Sequence, residues 1–87
     1  MRHMVSFKLI TGHQAEINAL IPKEQAHVRE LRESGTIEAL YLSYENGGIG
    51  WIVMKGESKE EIQRAMEAFP LHPYMVLEIA TLATMAS

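Results

Sequence analysis

Length, composition and charge limit what this chain can be. Its 87 residues suffice for one domain, spanning 1–87, and its 47% apolar and 22% charged residues are typical of a globular protein rather than a disordered one. There is no cysteine and no aspartate, the basic residues are scattered, and the net charge is −3. These features exclude disulfides, thiolate metal sites and Ser-His-Asp catalysis, and they predict no metal and no nucleic-acid partner.

The first part of the chain predicts a strand followed by a helix. Residues 4–10 are apolar and rich in strand-forming side chains. Residues 15–34 carry apolar side chains at helical spacing, namely Ile17, Leu20, Ile21, Val28 and Leu31. Pro22 predicts either a kink or a new helix that starts there, because an interior proline costs about 3 kcal/mol. Gly35 is well suited to end the helix.

A β-hairpin is predicted next, with strands at 36–44 and 48–55 around Asn46-Gly47. This dipeptide favours a two-residue turn, since both positions tolerate positive φ. Such a turn pairs Tyr44 with Ile49, Leu42 with Trp51, Leu40 with Val53, and Glu38 with the oppositely charged Lys55. One face of the hairpin then carries Leu40, Leu42, Tyr44, Ile49, Trp51 and Val53, and the other carries Ile37, Ala39, Tyr41, Ile52 and Met54.

The last part of the chain predicts a second helix and a fourth strand. Ser58 followed by Glu61 indicates a capping box. The helix that follows carries Ile62, Ala65, Met66 and Phe69 on its apolar face, and Pro70 ends it. Residues 71–73 form a turn and 74–83 a strand. The order βαββαβ is typical of the ferredoxin-like α+β fold, with a four-stranded antiparallel sheet.

Both faces of this sheet are predicted to be apolar, although two helices can cover only one of them. An uncovered apolar face is an interaction surface, so we expect a second copy to pack sheet to sheet. The result would be a homodimer that forms a dimeric α+β barrel. The sequence shows neither a signal peptide nor a membrane-spanning segment, so we expect a cytoplasmic protein with no membrane partner.

The closing segment resembles that of a known family. Leu71-His72-Pro73-Tyr74-Met75, followed by Glu78-Ile79, is similar to the closing strand of muconolactone isomerases, which reads roughly Pro-Leu-Phe-Pro-Tyr-Met-Asp-Ile-Glu-Val. The similarity extends back through Pro70, Leu40, Gly35-Thr36 and Leu31 to about Glu24. It implies a ferredoxin-like fold, a dimeric barrel or a higher oligomer, and a cofactor-free isomerase that moves a lactone's double bond by proton transfer.

One segment departs from that family. Its second strand carries Trp-Arg-His-Leu-Trp-Arg, where this chain has Ile37-Glu38-Ala39-Leu40-Tyr41-Leu42. Muconolactone bears a carboxylate, and a site without these cations should bind it poorly. We therefore expect the fold to carry over and the substrate to be a different small, apolar, oxygenated molecule.

Three residues are candidates for acid–base chemistry. If the first helix is continuous, Glu24 lies in the apolar stripe between Ile21 and Val28, where burial raises its pKa as a base requires; if Pro22 starts a new helix, Glu24 is an ordinary first-turn acid. His27 would relay a proton with Glu24 or lie on an exposed helix flank. Lys8 resembles a lysine of the family and is either a cavity cation or an outward-facing one.

Four further residues are candidates for substrate binding, namely Tyr41, Trp51, His72 and Tyr74. Tyrosine hydroxyls can donate to a ligand carbonyl, but their rings also commonly fill a core or an interface. Trp51 suits packing better than stacking on a ligand, and His72 serves the turn or the mouth of a cavity. Glu78 is predicted to pair with Lys8 or to face solvent.

Three functional hypotheses remain open. The first is a cofactor-independent enzyme of the isomerase or lyase type, acting by proton transfer on a small apolar oxygenated molecule. The second is a non-catalytic dimeric barrel that binds a small hydrophobic ligand or serves a structural role. The third, by fold analogy alone, is an oxygenase without a metal. Burial of Glu24 beside a cavity would favour the first over the second.

Overall fold

The computed structural model describes residues 1–45 and 48–84, and the elements follow the predicted order. They are β1 (Arg2–Leu9), α1 (Gln14–Glu33), β2 (Ile37–Ser43), β3 (Ile49–Lys55), α2 (Lys59–Glu67), a 3-10 turn (His72–Tyr74) and β4 (Met75–Leu82). The strands form one antiparallel sheet in the order β2-β3-β1-β4. The ferredoxin-like α+β fold is therefore confirmed. Within the described ranges, no helix is long and apolar enough to cross a membrane.

Helix α1 is a single helix that continues through Pro22. Proline removes one backbone hydrogen bond, which leaves the carbonyl of Asn18 without its usual donor. Pro22 and Asn18 are both exposed, so water can bond to that carbonyl instead. The alternative of a new helix starting at Pro22 is therefore wrong. The predicted end is confirmed, since Gly35 follows the last turn with a φ of 82°.

Helix α2 begins with the predicted serine cap. The backbone N–H of Glu61 donates to Ser58 Oγ at 3.2 Å. The Glu61 carboxylate in turn accepts the backbone N–H of Glu57 at 2.7 Å, one residue before the position that a standard capping box would use. The helix ends at Glu67, so Phe69 packs from the segment after the helix rather than from its face.

The predicted register of the hairpin is wrong by one residue. Ser43 pairs with Ile49, Leu42 with Gly50 and Tyr41 with Trp51, and a bulge lies between Ile37 and Ala39. The strands end at Ser43 and begin again at Ile49, so the connection is longer than the two-residue turn assumed; Asn46-Gly47 itself lies outside the described residues. Because side chains alternate along a strand, this slip moves Leu40 and Leu42 to the face opposite that of Trp51.

The helices cover one face of the sheet and enclose the core there. This core consists of Val5, Ile37, Ile52, Met54, Ile62, Met66 and Phe69. His3 is a fully buried polar residue beside it. Its Nε2 donates to the carbonyl of Gly56 at 3.2 Å, so in the neutral ring Nδ1 accepts the hydroxyl of Thr81, also at 3.2 Å. These bonds tie β1 to β4 and to the segment after β3.

The opposite side of the sheet, called the open face below, carries no helix. Its apolar residues are Met4, Ala39, Tyr41, Ile49, Trp51, Val53, Val76, Ala80 and Leu82. Tyr41 is 62% exposed and Val76 is 64% exposed. At one edge, Glu38 forms an ion pair with Arg2 in place of the predicted cross-strand pair with Lys55. The open face is therefore largely apolar and uncovered in one copy of the chain.

Candidate active site

A cavity of about 500 Å³ lies between α1 and the helix-covered face of the sheet. Helix α1 contributes Glu24, Gln25, Val28, Arg29 and Arg32 to its lining. The remaining lining is apolar and comes from Phe7, Leu9, Leu40, Leu42, Ile52, Phe69, Leu71 and Met75. This space, called the α1 cavity below, has the size and the mostly apolar lining that suit a small organic ligand.

The spacing of residues along α1 explains which side chains reach this cavity. Glu24, Val28 and Arg32 are four residues apart, and Gln25 and Arg29 repeat the same interval one position later. Residues at this spacing lie on one side of a helix. One carboxylate and two guanidinium groups of α1 therefore line the cavity, with Glu24 half-buried and Arg29 and Arg32 exposed.

Glu24 is the acidic group of the cavity, and its position is fixed by the turn after α2. Its Oε1 accepts the backbone N–H of Leu71 at 3.1 Å. Its Oε2 makes no hydrogen bond to any described residue and is not fully buried, so it can take a proton from a ligand. Burial raises the pKa of Glu24 above its usual value, although the Leu71 N–H and the charge of nearby His27 act in the opposite direction.

This pKa shift predicts how Glu24 contributes to stability as pH changes. Because the folded pKa lies above the unfolded one, the folded state holds this proton more tightly, and the free energy of unfolding falls as pH rises between the two values. We expect Glu24→Gln to match the wild type at acidic pH and to be more stable at neutral pH, measured by urea titration. Arg2 lowers the pKa of Glu38, so the contribution of Glu38 to stability rises with pH. This contribution is the same in the wild type and the variant and does not affect the difference between them. If the stability of Glu24→Gln relative to the wild type instead fell between acidic and neutral pH, the pKa of Glu24 would not be raised in the folded state.

His27 lies three residues after Glu24, about one turn along α1, and packs against the cavity wall. Its ring stands edge-on to Phe69, with centroids 4.7 Å apart and an angle of 83° between the planes. Its Nε2 is buried and has no hydrogen-bond partner among the described residues. Glu24 and His27 are close enough to interact by charge, but no hydrogen bond joins them in the described part of the chain.

The other candidates do not meet at this cavity. Lys8, Tyr41 and Trp51 project from the open face, on the far side of the sheet. Lys8 and Glu78 line one shallow depression there, but within residues 1–45 and 48–84 they form no ion pair. The sequence interpretation therefore grouped residues that the sheet separates, since Glu24 and His27 lie on the helix side and Lys8, Tyr41 and Trp51 on the open face.

His72 and Tyr74 lie in the 3-10 turn before β4 and are half-buried without lining the cavity. The ring of Tyr74 packs against His13 at the start of α1, with centroids 5.4 Å apart. Two backbone hydrogen bonds of 2.9 Å hold the turn. The N–H of His72 donates to the carbonyl of Phe69, and the N–H of Tyr74 donates to the carbonyl of Leu71. Leu71, the residue before this turn, is the one that reaches the cavity: its side chain lines the space and its backbone N–H donates to Glu24.

Arg29 and Arg32 are the site residues that the sequence interpretation missed. It noted the loss of the cations that the related isomerases carry in the second strand, and it kept Lys8 of β1 as its candidate cation. The arginines supply positive charge to the cavity from α1 instead, and neither forms an ion pair with a described residue. Their signal was present, because Arg32 follows Glu24 by eight residues, two turns along the same stripe. No cluster of His or Glu able to hold a metal occurs in the described ranges.

A ferredoxin-like sheet with a half-buried carboxylate in a mostly apolar cavity under its first helix defines a small α+β protein with a ligand-sized cavity. The sequence matches the muconolactone delta-isomerase family over residues 1–87, so the chain belongs to that family. No curated protein sequence gave a significant match.

Two solved structures show the same fold. A crystal structure of muconolactone isomerase aligns with a TM-score of 0.81 and 22% identity, covering 100% of this chain and 93% of that one. The 5-chloro-2-hydroxyhydroquinone dehydrochlorinase from Burkholderia phenoliruptrix AC1100, in complex with 2,5-dihydroxybenzoquinone, aligns with a TM-score of 0.74 and 17% identity, covering 95% and 94%.

Proposed function

We propose that this protein is a cofactor-independent enzyme of the isomerase or lyase type, with Glu24 as the base that moves a proton on a small oxygenated molecule. The observation that carries the proposal is the Glu24 carboxylate, which is desolvated beside the α1 cavity with one oxygen free. The names of the structural neighbours support it, since one is an isomerase and the other a dehydrochlorinase that binds a hydroxylated quinone.

The proposed step is a double-bond shift. Glu24 Oε2 takes a proton from the saturated carbon at one end of the ligand's conjugated system, and the electron pair of that C–H bond passes through the conjugated system onto the carbonyl oxygen to form a dienolate. The same carboxyl group then returns the proton to the carbon at the other end; in an α,β-unsaturated lactone the proton leaves the γ carbon and returns to the carbon next to the carbonyl. A raised pKa suits this work, because a base is most effective when its pKa lies near the working pH. His27 would act on Glu24 through its charge, which lowers the pKa of the carboxyl group, rather than through a hydrogen bond.

The arginines of α1 favour a ligand with negative charge. Arg29 and Arg32 lie at the cavity without competing ion pairs to described residues, so they can attract an anionic group or stabilise the enolate. In this proposal Arg29 and Arg32 take the place of Lys8, the cavity cation that the sequence suggested. Their charge also makes a carboxylate-bearing ligand acceptable to the cavity, including muconolactone.

Exchange with solvent deuterium tests this proposal on any ligand with a proton whose removal gives a conjugated enolate. We expect muconolactone or a related unsaturated lactone, incubated with the protein in D₂O, to gain deuterium next to its carbonyl faster than in buffer, as seen by NMR. The free acid should exchange faster than its methyl ester, because only the acid can pair with the arginines. Ligands that bind without any exchange would instead support the alternative, a non-catalytic protein that binds small molecules.

We also propose that two copies associate through their open faces to form a homodimeric barrel. The open face is apolar at its centre, and its charged residues lie toward its edges, as in the interior and rim of an interface. An exposed apolar surface of this kind is uncommon on a monomer. Two such sheets would pack face to face about 10 Å apart, which leaves each α1 cavity on the outer side of the dimer.

A further inference from the structure

A second cavity continues the α1 cavity toward the hairpin. It has a volume of about 320 Å³ and is lined by Ile21 from α1 and by Tyr44 beyond the end of β2, among others. Phe7, Leu9 and Leu42 line both cavities. The two spaces therefore adjoin, and together they form one groove that runs along α1 and is interrupted at these three side chains.

The ring of Phe7 is the largest of these three side chains and is held in place by a glycine. Phe7 in β1 lies opposite Gly50 in β3, and Gly50 lies opposite Leu42 in β2. A Cβ at position 50 would stand 2.2 Å from the tip carbon of the Phe7 ring and 2.3 Å from the next carbon. The ring thus lies directly over Gly50, in the space that any other side chain there would fill, and it extends toward Leu42.

We propose that Phe7 is a specificity-determining residue: its ring, seated on Gly50, closes the α1 cavity on the hairpin side and thereby limits the length of the ligand. The inference rests on the proposed use of the α1 cavity as the ligand site, but it does not require catalysis. Ligands that fill only the α1 cavity fit beside the ring. A ligand with an apolar chain directed toward Ile21 meets the ring edge before it can enter the second cavity.

A homologous series of ligands measures this limit. Alkyl esters of 4-hydroxybenzoic acid, from methyl to hexyl, combine one oxygenated ring with a chain of adjustable length, and calorimetric titration gives their affinities. With the wild type we expect affinity to rise with the first methylenes and then to stop rising or to fall. With Phe7→Ala it should continue to rise, by about fourfold for each further buried methylene.

Two further variants separate the closing role from a general loss of packing. Leu40→Ala removes a comparable side chain that lines the α1 cavity alone, so it should keep the wild-type length limit. Phe7→Leu retains an apolar side chain over Gly50 and should give an intermediate limit even if Phe7→Ala is poorly folded.

An unchanged limit in both Phe7 variants, or an equal change in Leu40→Ala, would overturn the role of Phe7 and leave the α1 cavity as the ligand site. If none of the esters binds the wild type, the α1 cavity is not a site for such molecules, and the inference falls together with that part of the proposed function.

Discussion

Replacing Glu24 by glutamine should abolish turnover while the protein stays folded and still binds its ligand. Glutamine has nearly the same shape, and its amide oxygen can still accept the backbone N–H of Leu71 that now bonds to Glu24. It cannot take a proton from carbon. General acid–base catalysis typically contributes about 10²–10⁴-fold, so we expect the rate of deuterium exchange to fall by about that factor.

The pH dependence of the wild type provides an independent check. A base must be deprotonated to act, so the rate should rise with pH through the pKa of Glu24. Since burial raises that pKa, the midpoint should lie above the usual range of a glutamate. Glu30→Gln is the matched control, because Glu30 is an exposed glutamate of the same helix, and it should leave both rate and midpoint unchanged. Exchange in Glu24→Gln at the wild-type rate would exclude Glu24 as the base.

Replacing Tyr41 by glutamate should separate the proposed homodimer into monomers. Tyr41 lies on the open face, and a carboxylate buried there without a partner would cost several kcal/mol. Each 1.4 kcal/mol is a factor of ten in affinity, and each copy would bring one such charge into the interface. We therefore expect the dissociation constant to rise by at least about 100-fold, which sedimentation velocity at low micromolar concentration would show.

Tyr44→Glu serves as the control for this variant. It introduces the same chemical change at a more exposed tyrosine, 88% exposed, which lines the second cavity and not the open face. The dimer should persist in this protein, and its melting temperature should still rise with protein concentration, because association stabilises the folded state. A wild type that sediments as a monomer at these concentrations, or a Tyr41→Glu variant that remains dimeric, would show that the open face does not join two copies.

The element order could be predicted from sequence because each signal is local. Ser58 caps α2, Gly35 follows the end of α1 in a conformation that suits glycine, and strand residues alternate as expected. The turn sequence around residues 70–75 also pointed to the family that the whole chain matches. Such signals depend on a few neighbouring residues, so they can be interpreted without knowledge of the tertiary contacts.

The register and the composition of the site could not be predicted in the same way. The pairing of Leu42 with Gly50 depends on the length of the connection and on a bulge near Glu38, and neither has a firm local signature. Continuation of α1 through Pro22 depends on which side of the helix meets solvent, a tertiary property. The position of Glu24 depends on that continuation, and the backbone donor at Leu71 is 47 residues away in the chain.

The alternation of side chains in the central hairpin has a consequence for how this protein can evolve. In β2 and β3, Leu40, Leu42 and Ile52 line the α1 cavity, while their immediate neighbours Tyr41, Trp51 and Val53 belong to the open face. Adjacent codons of one hairpin therefore encode two separate surfaces, the lining of the α1 cavity and the open face. Under the roles proposed for these surfaces, a lineage can substitute one set and acquire a new ligand while the contact between copies is inherited unchanged.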